Sequence, residues 1–389
     1  MKRKNNLKQR LLQYKQYWQN LAHVAAIVLI ALLLTRFTIY NISSLSFFAP
    51  LDKEMDFQMS DFYNLVADNK VIRPISHDLV VVGVDGCSRR EVLDAINTIS
   101  TWSPKAIGLD LYFPFPDEDN IYLLNTLSQT PNLVCANIVV QDSDEIHFHN
   151  RDISFFKSDI HPLMGYVNLN TNSVQQVVRT FRPWVTTSEN DTLYSMPYLL
   201  ANIIMPEKAQ KLQKQNRDEF IIDYTTYCID TISIKNLTSD YSQWLKDKVV
   251  FIGDMQDLSD AHLTPLHGVK PGVIIHAFEL QTILNENYIE TTKAWLNWLI
   301  AIFICSIYVS LLLFSKYHMV GYGSLVLRIG QFLLIFLLIY IGSAVFQSSH
   351  VYVDFAPAVL MIGLGSLAFD LGIGTFTIIK IIKNKYHKK

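Results

Sequence analysis

Charged residues are scarce in this sequence. Only 17% of its 389 residues are Asp, Glu, Lys or Arg, while 50% are hydrophobic, whereas soluble domains contain roughly 25% charged residues. The deficit is concentrated in long apolar runs, which exclude an ordinary soluble globule. Because about 20 helical residues span the roughly 30 Å hydrocarbon core of a bilayer, we predict four transmembrane helices. They cover residues 21–40, 294–314, 325–346 and 355–379.

Cysteine is also rare, and four cysteines do not make the framework of a disulfide-rich domain. Cys305 falls inside a predicted transmembrane helix, while Cys87, Cys135 and Cys228 lie in or beside apolar runs. Buried free thiols are the expected state. One disulfide with one remaining thiol is the alternative.

The sequence also lacks the motifs of phosphate and nucleophile chemistry. It contains no P-loop, no kinase catalytic triplet and no G-x-S-x-G element. Gly363, Gly365 and Ala368 have the spacing of a dinucleotide fingerprint, but they lie inside a predicted transmembrane helix with no strand before them. Small residues that let helices pack closely explain this spacing better. We therefore expect a protein that is not an enzyme and has no cofactor.

Lys and Arg residues are distributed asymmetrically around the predicted helices. Six precede the first helix, five follow the last, and the loop between the third and fourth helices contains none. By the positive-inside rule, both tails, residues 1–20 and 380–389, are cytoplasmic, and residues 41–293 lie outside. We expect a multi-pass protein of the bacterial cytoplasmic membrane. The net charge of −2 indicates no nucleic-acid partner, and the basic tails suit contact with membrane lipid.

The first apolar run has a second interpretation as a cleaved secretory signal. However, Thr35-Arg36-Phe37-Thr38 is a poor match to a small-residue cleavage site. A retained transmembrane helix is therefore the preferred interpretation.

Residues 41–293 are numerous enough to bury a substantial core as one domain. Leu79–Val84 and Lys105–Leu111 are continuous apolar runs, and the residues between them, Arg89–Ser100, have helical periodicity. This β-α-β pattern is typical of neighbouring parallel strands. Further buried strands are predicted at Asn132–Val140 and Lys248–Gly253. We predict an α/β fold with a mixed, largely parallel sheet flanked by helices.

The middle of the same segment has a less regular pattern. Alternating residues on either side of Asn170-Thr171-Asn172 predict a β-hairpin. A helix is predicted over Leu193–Ile204 and is ended by Pro206.

Two stretches resemble a known family. One is KAIGLDLYFP, Lys105–Pro114, and the other is Val249–Leu284, which contains Thr264-Pro265, Pro271-Gly272 and His276-Ala277. Both resemble the type-two CHASE domain, the cyclase- and histidine-kinase-associated sensory extracellular module of bacteria. Members of that family usually have one span before the domain and three after it. The resemblance implies an extracytoplasmic sensor domain.

The sequence departs from the family in two respects. A Trp/Pro/Arg element that commonly follows the first strand is reduced here to Arg89-Arg90. Relatives usually continue after the last span into a cyclase, kinase or similar output domain, whereas here only residues 380–389 follow. The expectation is therefore an output protein in trans. Homodimerisation is expected only by analogy with receptor relatives, because there are no coiled-coil heptads.

Carboxylates follow three of the predicted strands, at the edge where open α/β sheets bind ligands. We call this edge the acidic rim. The candidate ligand-binding residues are Asp85, Asp110, Asp254, Asp260, Thr264 and His276. In the alternative interpretation, the carboxylates of Asp110 and Asp260 accept backbone N–H bonds, Thr264 closes a turn, and His276 is a hydrogen-bonded core histidine.

A second polar cluster lies in the sequence DEIHFHN. His147 and His149 would share one face of an extended segment, and with Asp142, Asp144 and Glu145 they have the ligand types of a divalent metal site. A solvated polar loop is the preferred interpretation, and we expect no metal.

Two charges fall near or within predicted transmembrane helices. Arg328 lies near the cytoplasmic start of the third helix, and Asp370 lies in the cytoplasmic part of the fourth. Charges in lipid are costly, and antiparallel helices place these two at similar depth. We predict that they pair; snorkelling of each side chain to the interface is the alternative.

The leading hypothesis is a transmembrane sensor whose external domain detects an unknown small molecule or protein and relays it through four helices. A structural or anchoring subunit of an envelope complex is the alternative. A metal-dependent periplasmic hydrolase that uses the acidic rim is a third and weaker hypothesis.

Overall fold

The computed structural model describes residues 2–42, 60, 61, 63, 73–142, 147–151, 154–156, 162–170, 177–215, 217–318 and 323–386. The chain divides into two compact units. The α/β unit is Asn64–Ile289, and the membrane unit combines Met1–Tyr63 with Glu290–Lys389.

A seven-stranded sheet forms the centre of the α/β unit. Its strands are β1 (Ile75–Gly83), β2 (Ala106–Asp110), β3 (Leu133–Gln141), β4 (Phe148–Arg151), β5 (Leu163–Tyr166), β10 (Cys228–Ser233) and β11 (Val249–Gly253). The strand order is β10-β1-β11-β2-β3-β4, and β5 also pairs with β3. All of these pairings are parallel except the antiparallel pairing of β3 with β4. The predicted fold class is confirmed.

The continuous apolar runs become the central strands of this sheet. Every residue of β11 is buried, and β11 lies between β1 and β2. Side chains alternate between the two faces, so that Val81 joins one core cluster and its neighbours Val80 and Val82 join the other. Because both faces are covered, consecutive positions are apolar rather than every second one.

Helices cover both faces of the sheet. Those packed on one face are α2 (Arg89–Thr101), α3 (Asn120–Gln129) and the short α6 (Ser242–Leu245). Those packed on the other face are α4 (Met196–Ile204), α5 (Pro206–Gln213) and α7 (Gly272–Asn285). Helix α2 begins with a capping box, in which the Ser88 side chain accepts the Glu91 N–H and the Glu91 carboxylate accepts the Ser88 N–H at 2.7 Å.

Smaller antiparallel pairs complete the α/β unit. They are β6 (Thr180–Phe181) with β9 (Phe220–Ile221), β7 (Trp184–Thr186) with β8 (Thr192–Tyr194), and β12 (Ala261–Thr264) with β13 (Gly268–Pro271). Short 3₁₀ helices lie at Ile234–Asn236, Ser239–Tyr241 and Leu258–Asp260.

The middle region differs in detail from the prediction. Residues 171–176 of the predicted hairpin lie outside the described residues, although Asn170 and Thr180 form an isolated antiparallel bridge. The helix predicted from Leu193 begins at Met196, because the Ser195 side chain accepts the Tyr198 N–H and caps it there. The residues before the cap, Thr192–Tyr194, form strand β8 instead.

The membrane unit contains long apolar helices. They are α1 (Lys2–Ile42), α8 (Ala294–His318), α9 (Gly323–Ser349) and α10 (Ala356–Tyr386), and a short parallel pair joins β14 (Glu290–Thr291) to β15 (Val351–Tyr352). Within the described residues, four stretches are long and apolar enough to cross a membrane. They are Tyr17–Ile39, Ala294–His318, Leu325–Ser349 and Ala356–Ile382. The four apolar helices predicted from hydropathy are therefore confirmed.

Candidate functional site

The acidic rim lies at the carboxyl ends of the central strands. In the sheet register, Gly83 of β1 is opposite Gly253 of β11, which is opposite Asp110 of β2. Asp85 follows the end of β1 by two positions, and Asp254 comes directly after β11, so the structure places three of the predicted carboxylates at one edge.

Asp85 and Asp254 fasten the loops in which they lie. Asp85 Oδ1 accepts the Met255 N–H at 2.8 Å, and this bond ties the loop after β1 to the loop after β11. Asp254 Oδ1 accepts the Gln256 N–H at 2.8 Å in a local turn. Both carboxylates thus accept backbone N–H groups, which is the role that the alternative interpretation gave to Asp110 and Asp260.

Asp260 holds the first turn of helix α7. Its Oδ2 accepts the Gly272 N–H at 3.1 Å, and its Oδ1 lies 3.2 Å from His262 Nε2. A carboxylate at this position also complements the positive end of the helix dipole. A Cβ at position 272 would collide with the Asp260 carboxylate, so the close approach requires glycine there.

His276 lies one turn into α7, and its imidazole is enclosed by acceptors. Nδ1 is 2.8 Å from Glu279 Oε2, and Nε2 is 3.1 Å from the Val167 carbonyl oxygen. Both side chains of the pair are buried, with relative exposures of 3% and 4%. A backbone carbonyl can only accept, so an ionised Glu279 requires a doubly protonated imidazolium that donates on both sides.

The charge of His276 is set by two opposing effects. Burial lowers the pKa of the imidazole, while Glu279, through its charge and its hydrogen bond, and the carboxylates of Asp110 and Asp260 raise it, so that the net pKa rises to about 9. His276 is therefore a buried cation at neutral pH.

Asp110 is the carboxyl group most strongly affected by this environment. Burial raises its pKa, His276 lowers it, and Asp260 and Glu279 raise it again, so that the pKa reaches about 6. Asp110, Asp260, His276 and Glu279 thus interact electrostatically, and we call these four residues the rim network.

Thr264 has a separate, local role. Its hydroxyl donates to the Gly268 carbonyl at 2.8 Å and accepts the His267 N–H at 3.1 Å. These bonds close the turn between β12 and β13, as turn chemistry requires.

The segment DEIHFHN, which was predicted to be a solvated polar loop, lies partly outside the described residues, which exclude Asp144 and Glu145, and its last three residues belong instead to strand β4. His149 Nδ1 lies 2.5 Å from Asp142 Oδ1, in an exposed pair. Among the described residues, no group of three or more His, Cys, Asp or Glu side chains is placed to hold a metal ion.

The membrane unit contains its own polar contacts. Arg328 of α9 reaches Asp370 of α10, with Nη2 3.0 Å from Oδ1 and 2.8 Å from Oδ2. In the same unit, the Tyr308 hydroxyl donates to Gln331 Oε1 at 2.7 Å and lies 2.8 Å from Ser366 Oγ. These side chains connect α8, α9 and α10 by hydrogen bonds.

Glu279 and the Tyr308–Gln331–Ser366 cluster were not among the site residues predicted from the sequence. A signal for Glu279 was present, because it is the one acidic residue in the apolar run from Val273 to Leu284 and follows His276 by three positions. The membrane cluster left a weaker signal, since isolated Gln, Ser and Tyr residues also occur singly on helix surfaces.

Comparison with known proteins gives a family match that covers most of the chain. A model described as the CHASE2 domain matches residues 25–313, which extend from within α1 to near the end of α8. No curated protein matches the chain, and no solved structure matches it.

Proposed function

The chain belongs to the CHASE2 domain family, and on that premise we propose that it is a membrane sensor. In this proposal, the α/β unit receives a cue outside the cytoplasm and passes it through the membrane helices to a separate output protein. The family match supports the sensory role, and the four apolar helices support a multi-pass membrane protein.

The observation that carries the proposal is that the rim network is built around helix α7. His276 and Glu279 are buried in this helix, and Asp260 holds its first residue. Helix α7 ends at Asn285, and only residues 286–293 separate it from α8, the first membrane helix after the domain. A shift of α7 therefore has a short covalent path to the membrane helices.

A cue acts on such a path only by binding one conformation more tightly than another. Protonation of Asp110 or a ligand at the rim would change the charge balance around the buried imidazolium. Because the α7 side chains are packed in a dense core, we propose that the helix moves as a rigid element between two positions.

The proposed location is the bacterial cytoplasmic membrane, with the α/β unit outside and both termini inside. The distribution of Lys and Arg around the apolar helices supports this orientation.

In-cell photocrosslinking tests the relay. A photoreactive side chain is placed at Tyr317, which is exposed near the last residue of α8, on the side of the membrane proposed to be cytoplasmic. The matched control is placed at Ser348, which is exposed near the last residue of α9, on the side proposed to be external. At native expression we expect a specific partner protein from Tyr317 and not from Ser348, with a yield that changes in a Glu279→Gln background. Recovery of no partner from Tyr317 would contradict the relay in trans.

An anchoring subunit of an envelope complex is the second candidate, and the loop-fastening bonds of Asp85 and Asp254 favour it. If the rim is only structural, Asp110→Asn leaves the biological output unchanged in a folded protein. If the rim is sensory, the same change shifts the output.

A further inference from the structure

A cavity of about 320 Å³ opens in the α/β unit near the ends of β3 and β5. Ligand pockets range from about 300 to 1,000 Å³, so its size suits a small molecule. Its lining includes Gln141, Phe148, Tyr166, Asn170, Arg182 and Val185. No rim-network residue lines it, so it is a site separate from the one described above.

Arg182 is the one charged residue among the described residues that line the cavity. Within the described part of the chain, its guanidinium makes no hydrogen bond, and its nearest acid is Glu219, at 3.9 Å from Nη2 to Oε2. The other oxygen of Glu219 accepts from the Asn170 amide at 2.8 Å and from the Thr180 hydroxyl. The guanidinium therefore retains its planar set of donors for another acceptor.

The walls of the cavity are held in place by bonds within the protein. The Asn168 side chain accepts the Val139 N–H at 2.8 Å and donates to the Val139 carbonyl at 2.9 Å. The Tyr166 hydroxyl donates to the Arg182 carbonyl at 2.5 Å and so fixes the backbone that carries the guanidinium. A site built in advance loses less entropy when a ligand binds.

We propose that this cavity binds a small organic carboxylate of amino-acid to dipeptide size. The carboxylate pairs with the Arg182 guanidinium in the bidentate geometry that the two planar groups share. The apolar part of the ligand lies against Phe148 and Val185. Arg182 supplies one positive charge, and Glu219 already offsets part of it, so the site favours a monocarboxylate over a phosphate dianion.

Occupancy of the cavity has a direct connection to the rim network. Tyr166 lines the cavity, and the next residue, Val167, accepts the hydrogen bond from His276 on α7. The assignment of this cavity as the cue site rests on the proposed function, whereas carboxylate binding itself does not.

Calorimetry on the detergent-solubilised full chain tests the binding. The probe is N-acetylphenylalanine, and its uncharged counterpart is N-acetylphenylalaninamide. Arg182→Gln removes the charge, Val185→Phe fills part of the cavity, and Arg90→Gln is the matched control, because Arg90 is an exposed arginine that pairs with Asp119 elsewhere in the unit.

We expect the acid to bind at least about tenfold more tightly than the amide, because the charged hydrogen bonds are lost in the amide. Arg182→Gln should abolish that difference, Val185→Phe should weaken both probes, and Arg90→Gln should change neither. Equal or absent binding of the acid and the amide to the wild type overturns the proposal. If Arg182→Gln does not fold, Val185→Phe decides, and undiminished binding of the acid to that variant overturns it. Neither result affects the crosslinking test of the relay.

Discussion

At the scale of single residues, the rim network depends on a cation that is buried rather than hydrated. His276 donates toward Glu279 and toward the Val167 carbonyl, and the side chains of both His276 and Glu279 are buried. A buried ion pair of this kind contributes little net stability compared with apolar residues, but removal of one partner leaves the other charge without compensation. The pair therefore fixes the position of α7 more than it strengthens the fold.

Glu279→Gln and His276→Gln test this coupling. Each single change should lower the free energy of unfolding by about 3 kcal/mol or more, since one buried charge is left alone. The double variant should lose clearly less than the sum of the two, with a coupling of about 1–3 kcal/mol. Denaturant unfolding of the solubilised protein measures these differences, and strict additivity would contradict the pairing.

The pH dependence of the same pair has a defined sign. The folded state raises the pKa of His276 from 6.5 to about 9, so the stabilisation is complete below about pH 6.5 and is lost as the pH rises through 9. In Glu279→Gln the largest charge that raises this pKa is absent, so the folded-state pKa should fall toward 6.5, and the pH-dependent loss of stability should be smaller and complete at a lower pH. Unfolding curves between pH 6 and 10 check this shift, and identical profiles would exclude it.

Asp110→Asn, in contrast to Glu279→Gln, should stabilise the protein near neutral pH. The folded state raises the pKa of Asp110 from 3.8 to about 6, so the wild type loses stability as the pH rises through that window. Asparagine stays neutral, so the variant should unfold at least about 2 °C higher at pH 7.5, with a difference that narrows toward pH 4. Asp240→Asn, at an exposed carboxylate, is the control and should change little. A variant that is no more stable than the wild type at pH 7.5 would show that burial does not raise the pKa of Asp110.

At the scale of secondary-structure elements, the start of α7 depends on a contact with the loop after β11. Asp260 accepts the Gly272 N–H, and glycine alone leaves space for that carboxylate. Much of this element was predictable from the sequence, because Pro271-Gly272 followed by apolar residues marks a helix start. The partner of the first N–H was not, because Asp260 lies twelve positions earlier and caps the helix from outside it.

Gly272→Ala should therefore destabilise the protein, although alanine is the better helix former by about 1 kcal/mol. The new methyl group collides with the Asp260 carboxylate, which costs about 1–3 kcal/mol in strain, and the lost cap costs about 1 kcal/mol more, so the two costs together outweigh the gain in helix propensity. Gly363→Ala is the control, because a Cβ there meets no neighbouring atom within 4 Å. Thermal unfolding distinguishes the two substitutions. If Asp260→Ala does not reduce the effect of Gly272→Ala, the proposed collision is wrong.

The ion pair of Arg328 with Asp370 joins two further elements, helices α9 and α10. Arg328→Ala should lower the folded yield, because Asp370 then lies unpaired in an apolar helix, where a charge costs about 2.5–3.5 kcal/mol. The exchange Arg328→Asp with Asp370→Arg should recover most of the loss. The same exchange at Lys211 and Glu286, an exposed pair in the α/β unit, is the control and should have a small effect. Failure of the exchanged pair to recover any yield would show that the contact is incidental.

At the scale of the whole molecule, hydropathy and local pattern predicted the number of apolar helices and the type of sheet. The order of the strands could not be predicted from hydropathy and local pattern. β11 inserts between β1 and β2, although Val249 follows Leu79, its partner in the register, by 170 positions. Parallel pairing at that separation leaves no local trace in composition or periodicity. The cavity beside Arg182 was equally hidden, since segments from β3, β4, β5 and β7 converge on it.

The central claim is that the α/β unit lies outside the cytoplasm while both termini lie inside. In a variant whose own four cysteines are replaced, single cysteines at Ser188, exposed in the α/β unit, and at Asn384, exposed near the end of α10, are treated with a membrane-impermeant maleimide. We expect labelling at position 188 in intact cells, and labelling at position 384 only after the membrane is permeabilised. Labelling at 384 but not at 188 in intact cells would contradict the orientation and, with it, the assignment of an external sensor.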